Sequence, residues 1–167
     1  VLAPGIAETH YQLGRIHLAE SRLEKATSYF EKAVQLNPAF TPTYFELGNT
    51  LQQRGLLDQA ILRYRKALEL EPSFPEALNN MGNALQAQEK FDAAIACYAK
   101  ALKLKPDYAM AHNNLGNIWL RQGRPEAAIA CYKKVVALKP DFSEAYYNLG
   151  NVLYELGKLD EAKNYYE

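Results

Sequence analysis

The side chains of this chain that could do chemistry are three histidines, two cysteines and a regular set of asparagines. His10 and His17 stand seven residues apart, which on a helix is about 10 Å along the axis. Zinc–nitrogen bonds are about 2 Å, so the pair cannot share one ion directly. His10 and His112 fall on apolar faces and read as buried, hydrogen-bonded core histidines. Cys97 and Cys131 lie 34 residues apart, at equivalent places in successive repeats. Stacked helices are roughly 8–10 Å apart, whereas a disulfide needs Cα atoms within about 7 Å. Both therefore read as semi-buried thiols of a reducing compartment. His112 can approach Cys97 across a repeat boundary, but no third group is visible to orient the pair as a nucleophile. The sequence contains no phosphate-cradling glycine loop, CxxC, HExxH or GxSxG motif. The expectation is a protein without catalytic residues, metal or cofactor.

The asparagines are different. Asn49, Asn83, Asn117 and Asn151 recur at a fixed spacing, as do Asn80, Asn114 and Asn148, with Asn79 and Asn113 beside them. A carboxamide carries both an acceptor oxygen and a donor NH2 group. It can pair with the N–H and the C=O of a passing peptide backbone. A ladder of such groups would hold an extended chain without dictating much of its sequence. Each bond contributes about 0.5–1.5 kcal/mol net, so several rungs must engage together. The alternative is that the amides bond to neighbouring repeats or cap local backbone.

The elements that position these groups follow from punctuation. Pro38, Pro72, Pro106 and Pro140 are 34 residues apart, and Gly14, Gly48, Gly82, Gly116 and Gly150 keep the same beat. Proline and glycine break regular structure, and a fixed period in the thirties marks a repeat architecture. With each of those glycines at position 8, the units are residues 7–40, 41–74, 75–108, 109–142 and a truncated 143–167, after a lead-in of residues 1–6. Position 20 is always alanine and position 24 always aromatic: Phe30, Tyr64, Tyr98, Tyr132 and Tyr166. Apolar residues at positions 4, 7 and 11, then 20, 24, 27 and 28, follow a 3.6-residue period. Each unit is thus expected to be two helices, A at about positions 1–14 and B at about 17–31.

Gly55, Gly123 and Gly157 at position 15 suit a helix C-cap. Ser21 and Glu89 hold that place in the first and third units, where the turn is expected to be less well specified. Acidic residues at position 18 meet the positive start of helix B, and lysines at position 26 lie toward its negative end. Pro125 fits a first helical turn. Glycine at position 8 and alanine at position 20 lack bulk, so the two helices should cross closely there.

These columns resemble the tetratricopeptide repeat, whose pattern runs large–Leu–Gly–large, then Ala, aromatic, Ala and Pro. The likeness covers about residues 7–167, as one array. It implies an all-α, right-handed α-solenoid of about nine helices, with helix A lining the concave side. Positions 2, 5, 6, 9, 12 and 13 of helix A lie opposite positions 4, 7 and 11, and would form a groove. Asn49, Asn79, Asn80, Asn83, Asn113, Asn114, Asn117, Asn148 and Asn151 fall in those columns. Tyr11, Phe45, Tyr147 and Tyr154 face the same channel and suit apolar or proline-rich ligand side chains; ordinary stacking between neighbouring A helices is the other reading.

The groove holds Glu8, Glu46, Glu76, Glu144 and Glu155 against Arg15 and Arg121. That mildly acidic surface favours neutral or basic segments. Members of the family that clamp acidic chaperone C-termini use basic residues in columns where this chain has none, so that partner is not expected. The asparagine lining also has a weaker resemblance to the repeat region of the O-linked N-acetylglucosamine transferases. It implies an alternative role as the substrate-recruiting arm of a larger glycosyltransferase. A third reading is a structural module that self-associates through uncapped ends.

Composition bounds the partners. Nineteen basic residues balance nineteen acidic ones, which leaves no electrostatic footprint for nucleic acid. No run of apolar residues is long enough to insert in a membrane. The first six residues are too short for a signal peptide and lack a basic leader. The chain starts without Met and stops inside a helical pattern, so it reads as an excised fragment, of cytoplasmic origin.

Overall fold

The computed structural model describes residues 4–167, and every regular element in them is an α-helix. Ten helices follow one another: α1 (Pro4–Ala19), α2 (Leu23–Leu36), α3 (Thr41–Gln53), α4 (Leu57–Leu70), α5 (Pro75–Ala87), α6 (Phe91–Leu104), α7 (Ala109–Arg121), α8 (Pro125–Leu138), α9 (Ser143–Glu155) and α10 (Leu159–Tyr166). The odd-numbered helices are the A helices and the even-numbered ones the B helices of successive repeats. The expected count of about nine is one short, because the shortened last repeat still closes its hairpin with the eight-residue α10. Two compact units result, residues 1–90 and residues 91–167. Within the first, α1 to α5 pack each on the next; within the second, α6 to α10 do the same.

One turn joins A to B in every repeat. Arg22, Leu56, Lys90, Arg124 and Lys158 each donate their N–H to the carbonyl five residues back, at 2.8–2.9 Å. This bond closes the helix end and requires a left-handed residue just before it. Gly55, Gly123 and Gly157 supply it with φ of 75°, 68° and 74°. Ser21 and Glu89 adopt the same conformation, with φ of 58° and 59°. Those two turns are therefore as well defined as the others, contrary to expectation: the closing hydrogen bond imposes the geometry, and the side chain bears the strain.

The close crossing of A and B has a specific cause. A Cβ at Gly48 would lie 2.6 Å from the Tyr64 ring, at Gly14 2.6 Å from Phe30, at Gly116 2.8 Å from Tyr132, and at Gly150 2.6 Å from Tyr166. The aromatic ring of helix B lies flat on the glycine of helix A. Ala60 and Ala128, at position 20, are fully buried in the same seam.

Helix A has a second buried stripe that the three apolar columns did not reveal. Thr43 and Thr50, Ala77 and Ala84, Ala111 and Ile118, and Ala145 and Val152 occupy positions 3 and 10, and none is more than 1% exposed. Of these A helices, α3, α7 and α9 each pack on their own B helix and on the B helix before it, and α5 packs on α4 and touches α3. Small residues there let successive hairpins approach, and they narrow the face left to solvent.

Candidate functional site

The histidines and cysteines take up structural places. His10 and His17 both pack against Tyr29, with ring centroids 5.8 and 5.2 Å away. His17 Nδ1 lies 3.2 Å from the Glu20 carboxylate. The His112 Nε2 is 2.9 Å from the Pro106 carbonyl oxygen, so as an N–H it ties α7 to the preceding loop. Cys97 and Cys131 are thiols and do not form a disulfide. Burial pushes the Cys131 thiol up to about 11, which keeps it protonated and a poor nucleophile near neutral pH. Among the described residues, no three His, Cys, Asp or Glu side chains converge on a common metal position. No described helix is long and apolar enough to cross a membrane.

The asparagines divide by column. In column 9 the amide oxygens of Asn49, Asn117 and Asn151 face the hydroxyl of their own repeat's position-24 tyrosine. Tyr64 Oη donates to Asn49 Oδ1 at 2.8 Å, Tyr132 to Asn117 at 2.7 Å, and Tyr166 to Asn151 at 2.6 Å. The ring passes under the glycine at position 8, and its hydroxyl emerges beside position 9. Burial raises the Tyr64 hydroxyl above its ordinary range, with the nearby Glu46 charge adding to it, and lifts Tyr132 to about 12. Both remain neutral donors. Sequence carried the signal in one place: where position 24 is Phe30, without a hydroxyl, position 9 is Arg15 rather than asparagine.

In column 5, Asn79 and Asn113 are 2% and 3% exposed, which corrects their placement on an open groove wall. Asn79 Nδ2 donates to Asn80 Oδ1 at 3.1 Å, and Asn113 Nδ2 to Glu144 Oε1 at 3.2 Å. The physical reason lies in what surrounds column 5. Tyr11 packs on Phe30 and Phe40, at 5.9 and 5.2 Å between centroids, and Phe45 on Tyr64 and Phe74, at 6.2 and 4.8 Å. This column lies over the A–B seam, between the position-24 ring and the aromatic residue that ends the repeat. A long ring climbs out of that seam and a short amide sinks into it. Tyr11 and Phe45 are accordingly half-buried, and the stacking runs within a repeat rather than between A helices. Tyr147 rests against Tyr166 at 6.4 Å yet remains 61% exposed.

Column 6 is the open one. Asn80, Asn114 and Asn148 are half-buried. Asn80 Nδ2 donates to Asn49 Oδ1 at 2.8 Å, its amide also hydrogen-bonds the Tyr64 hydroxyl, and its oxygen accepts from Asn79, so a lone pair remains for another group. Asn49, by contrast, accepts from both Tyr64 and Asn80 and donates to Glu46 Oε2 at 3.3 Å. Its oxygen is fully used.

Each unit presents its own cavity. In the first, about 440 Å³ is lined by Leu18, Glu46, Asn49, Gln52, Gln53, Tyr64 and Asn80. Gln52 and Gln53, at positions 12 and 13, were legible as groove columns but not as wall residues of this cavity. The Tyr64 hydroxyl also lies 2.9 Å from Gln52 Oε1. In the second, about 390 Å³ is lined by Pro140, Asp141, Ser143, Tyr146, Tyr147, Tyr165, Tyr166 and Glu167. The Asn83 side chain is half-buried on α5, in the same column as Asn49.

Family profiles described as tetratricopeptide repeat match residues 79–141, 120–167 and 7–40, and one described as TPR repeat matches residues 48–89. The fold superposes on two MamA crystal structures. One is 27% identical with a TM-score of 0.85, over 96% of this chain and 88% of that one. The other is 29% identical with a TM-score of 0.84, over 92% and 90%. PilF of Pseudomonas aeruginosa is 24% identical with a TM-score of 0.88, over 97% of this chain and 74% of its own; at that identity the likeness concerns the fold alone. No curated protein sequence matches the chain.

Proposed function

We propose, from the premise that the chain belongs to the tetratricopeptide repeat family of protein-interaction modules, that its A-helix faces hold an extended segment of a partner protein. In the first unit Asn80 engages the segment's backbone, and Tyr11 and Phe45 its apolar side chains. In the second, Asn114 and Asn148 do the former and Tyr147 the latter. Asn49, Asn83, Asn117 and Asn151 frame the face, and the buried Asn79 and Asn113 support it from below. The partner segment is neutral to basic. The chain acts by binding rather than by catalysis, and its two thiols suit a reducing compartment such as the cytoplasm.

The observation that carries this reading is the amide-lined cavity of about 440 Å³ in the first unit, where the Asn80 oxygen, accepting once from Asn79, keeps a lone pair for a backbone N–H. Three lost backbone bonds at about 0.5–1.5 kcal/mol each amount to roughly tenfold or more in affinity. A segment is captured from lysate by the wild-type chain, mapped, synthesised and titrated. The variant Asn80→Ala/Asn114→Ala/Asn148→Ala should bind it at least about tenfold more weakly with its far-UV spectrum unchanged. Equal affinity would remove those residues from the site.

Self-association is a second reading that one surface favours. Tyr154, Leu159 and Tyr166 are 63%, 59% and 49% exposed, around a cavity of about 400 Å³. A second copy of the chain would cover them. Sedimentation velocity across a concentration series decides it, and a concentration-independent monomer would exclude that role.

A further inference from the structure

We propose that the cavity in the first unit takes the side chain of an arginine from the bound segment, with the Glu46 carboxylate as its counter-charge. This rests on the groove reading above and adds a side-chain preference to it.

Glu46 is half-buried in the cavity wall on α3. Its carboxylate accepts one hydrogen bond, from Asn49 Nδ2 at 3.3 Å, and among the described residues no Lys, Arg or His lies within ion-pair distance of it. A carboxylate offers about four lone-pair sites, so most of its accepting capacity faces the cavity. A cation brought beside it would form a charge-assisted hydrogen bond, roughly twice as strong as a neutral one. Arg15, a basic side chain on α1, is engaged elsewhere: it lies 5.9 Å from the Tyr11 ring and donates to Gln12 Oε1 at 3.4 Å.

The rest of the wall has the same polarity. Asn49 and Asn80 each direct an N–H to an acceptor within the network itself. The Gln52 oxygen and the exposed Gln53 amide add acceptors on the far side. The negative field reaches both neighbouring phenols: the Glu46 charge, after burial, holds the Tyr11 and Tyr64 hydroxyls above their ordinary range. An acceptor-rich pocket with one anionic wall suits a planar, five-donor cation better than a neutral or acidic group. Guanidinium also fits a carboxylate with two parallel bonds, which ammonium cannot do. Leu18 provides apolar surface for the methylene stem.

The test is display selection of random dodecapeptides on the full chain, followed by titration of the best peptide. Arginine should recur at one fixed position. Replacing it with neutral, isosteric citrulline should weaken binding to the wild type on the order of tenfold or more, as expected for a charged hydrogen-bonded pair. In Glu46→Gln, which keeps the acceptor for Asn49 and the side-chain shape, that difference should fall below about twofold. Peptides that bind with no basic position would overturn the arginine pocket and leave the groove reading standing. A basic preference that persists unchanged in Glu46→Gln would do the same. If no peptide is selected, both fall.

Discussion

The bond between Tyr132 and Asn117 can be measured in isolation, because each is the other's hydrogen-bond partner and nothing else competes. Tyr132 is fully buried, and its hydroxyl lies 2.7 Å from the half-buried Asn117 oxygen. Tyr132→Phe keeps the ring on Gly116 and removes only the donor. Its expected cost is about 1–1.5 kcal/mol, since water can reach part of the stranded amide. Asn117→Ala strands a hydroxyl at a buried ring and should cost more, about 1–3 kcal/mol. The double variant removes both halves and leaves neither group stranded. It should therefore cost less than the sum by about 1 kcal/mol or more. The first repeat is the natural form of that double change, with Phe30 and Arg15 in the two places. Repeat arrays need not unfold in one step, so the assay is native-state hydrogen exchange of the α7 and α8 amides rather than a global midpoint. Additivity within about 0.3–0.5 kcal/mol would refute the claim that the hydroxyl and amide act as a pair.

Glycine at position 8 should be intolerant of a methyl group in proportion to how firmly its ring is held. Gly48→Ala drives a Cβ to 2.6 Å from the fully buried Tyr64 and should cost about 1–3 kcal/mol. Gly150→Ala meets the 49% exposed Tyr166 on the short α10 and should cost well under half of that, both read by native-state hydrogen exchange of the amides in the affected helix pair. Ser21→Gly and Glu89→Gly relieve left-handed strain of about 1–2 kcal/mol, offset by the roughly 0.5–1 kcal/mol that glycine's extra backbone freedom costs, so each should be stabilising on balance; a loss of stability would show that their side chains matter more than the turn. The tyrosines also predict alkaline behaviour. An unfolded tyrosine titrates near 10.0 and folded Tyr132 near 12, so the folded state keeps a proton that the unfolded state releases. Stability is complete below pH 10.0 and falls as pH rises toward 12, and Tyr132→Phe should flatten that decline.

The helix pairs, the three glycine turns and the close crossing of A and B at position 8 were legible because each depends on a residue type at a fixed spacing; that the position-24 ring is what meets the glycine was not. Periodicity of 3.6 locates a buried face, and a 34-residue beat repeats the test five times over. What it could not reveal was the second buried stripe, since alanine and threonine at positions 3 and 10 carry little hydrophobic signal. That omission made the groove look wider than it is. It left Asn79 and Asn113 on a wall that hairpin packing has closed. Ser21 and Glu89 were misjudged for a related reason: a propensity argument weighs a residue alone, whereas the turn is held by a bond between Arg22 and His17, or Lys90 and Leu85.

Asparagine in columns 6 and 9 therefore cannot be read as one ladder. A residue at position 9 stands beside the glycine under which the aromatic ring passes, so the amides of Asn49, Asn117 and Asn151 each meet a tyrosine hydroxyl. Its identity is accounted for by the fold before any ligand is considered. At position 6 the contacts differ. Asn80 reaches across to the preceding A helix, and Asn148 makes no hydrogen bond among the described residues. Selectivity in the first unit then falls to the group beside them that carries a charge. Glu46 is one turn from Asn49 and shares the cavity with Asn80. In the groove proposed above, the amides would hold any backbone, and the carboxylate would distinguish one side chain from another.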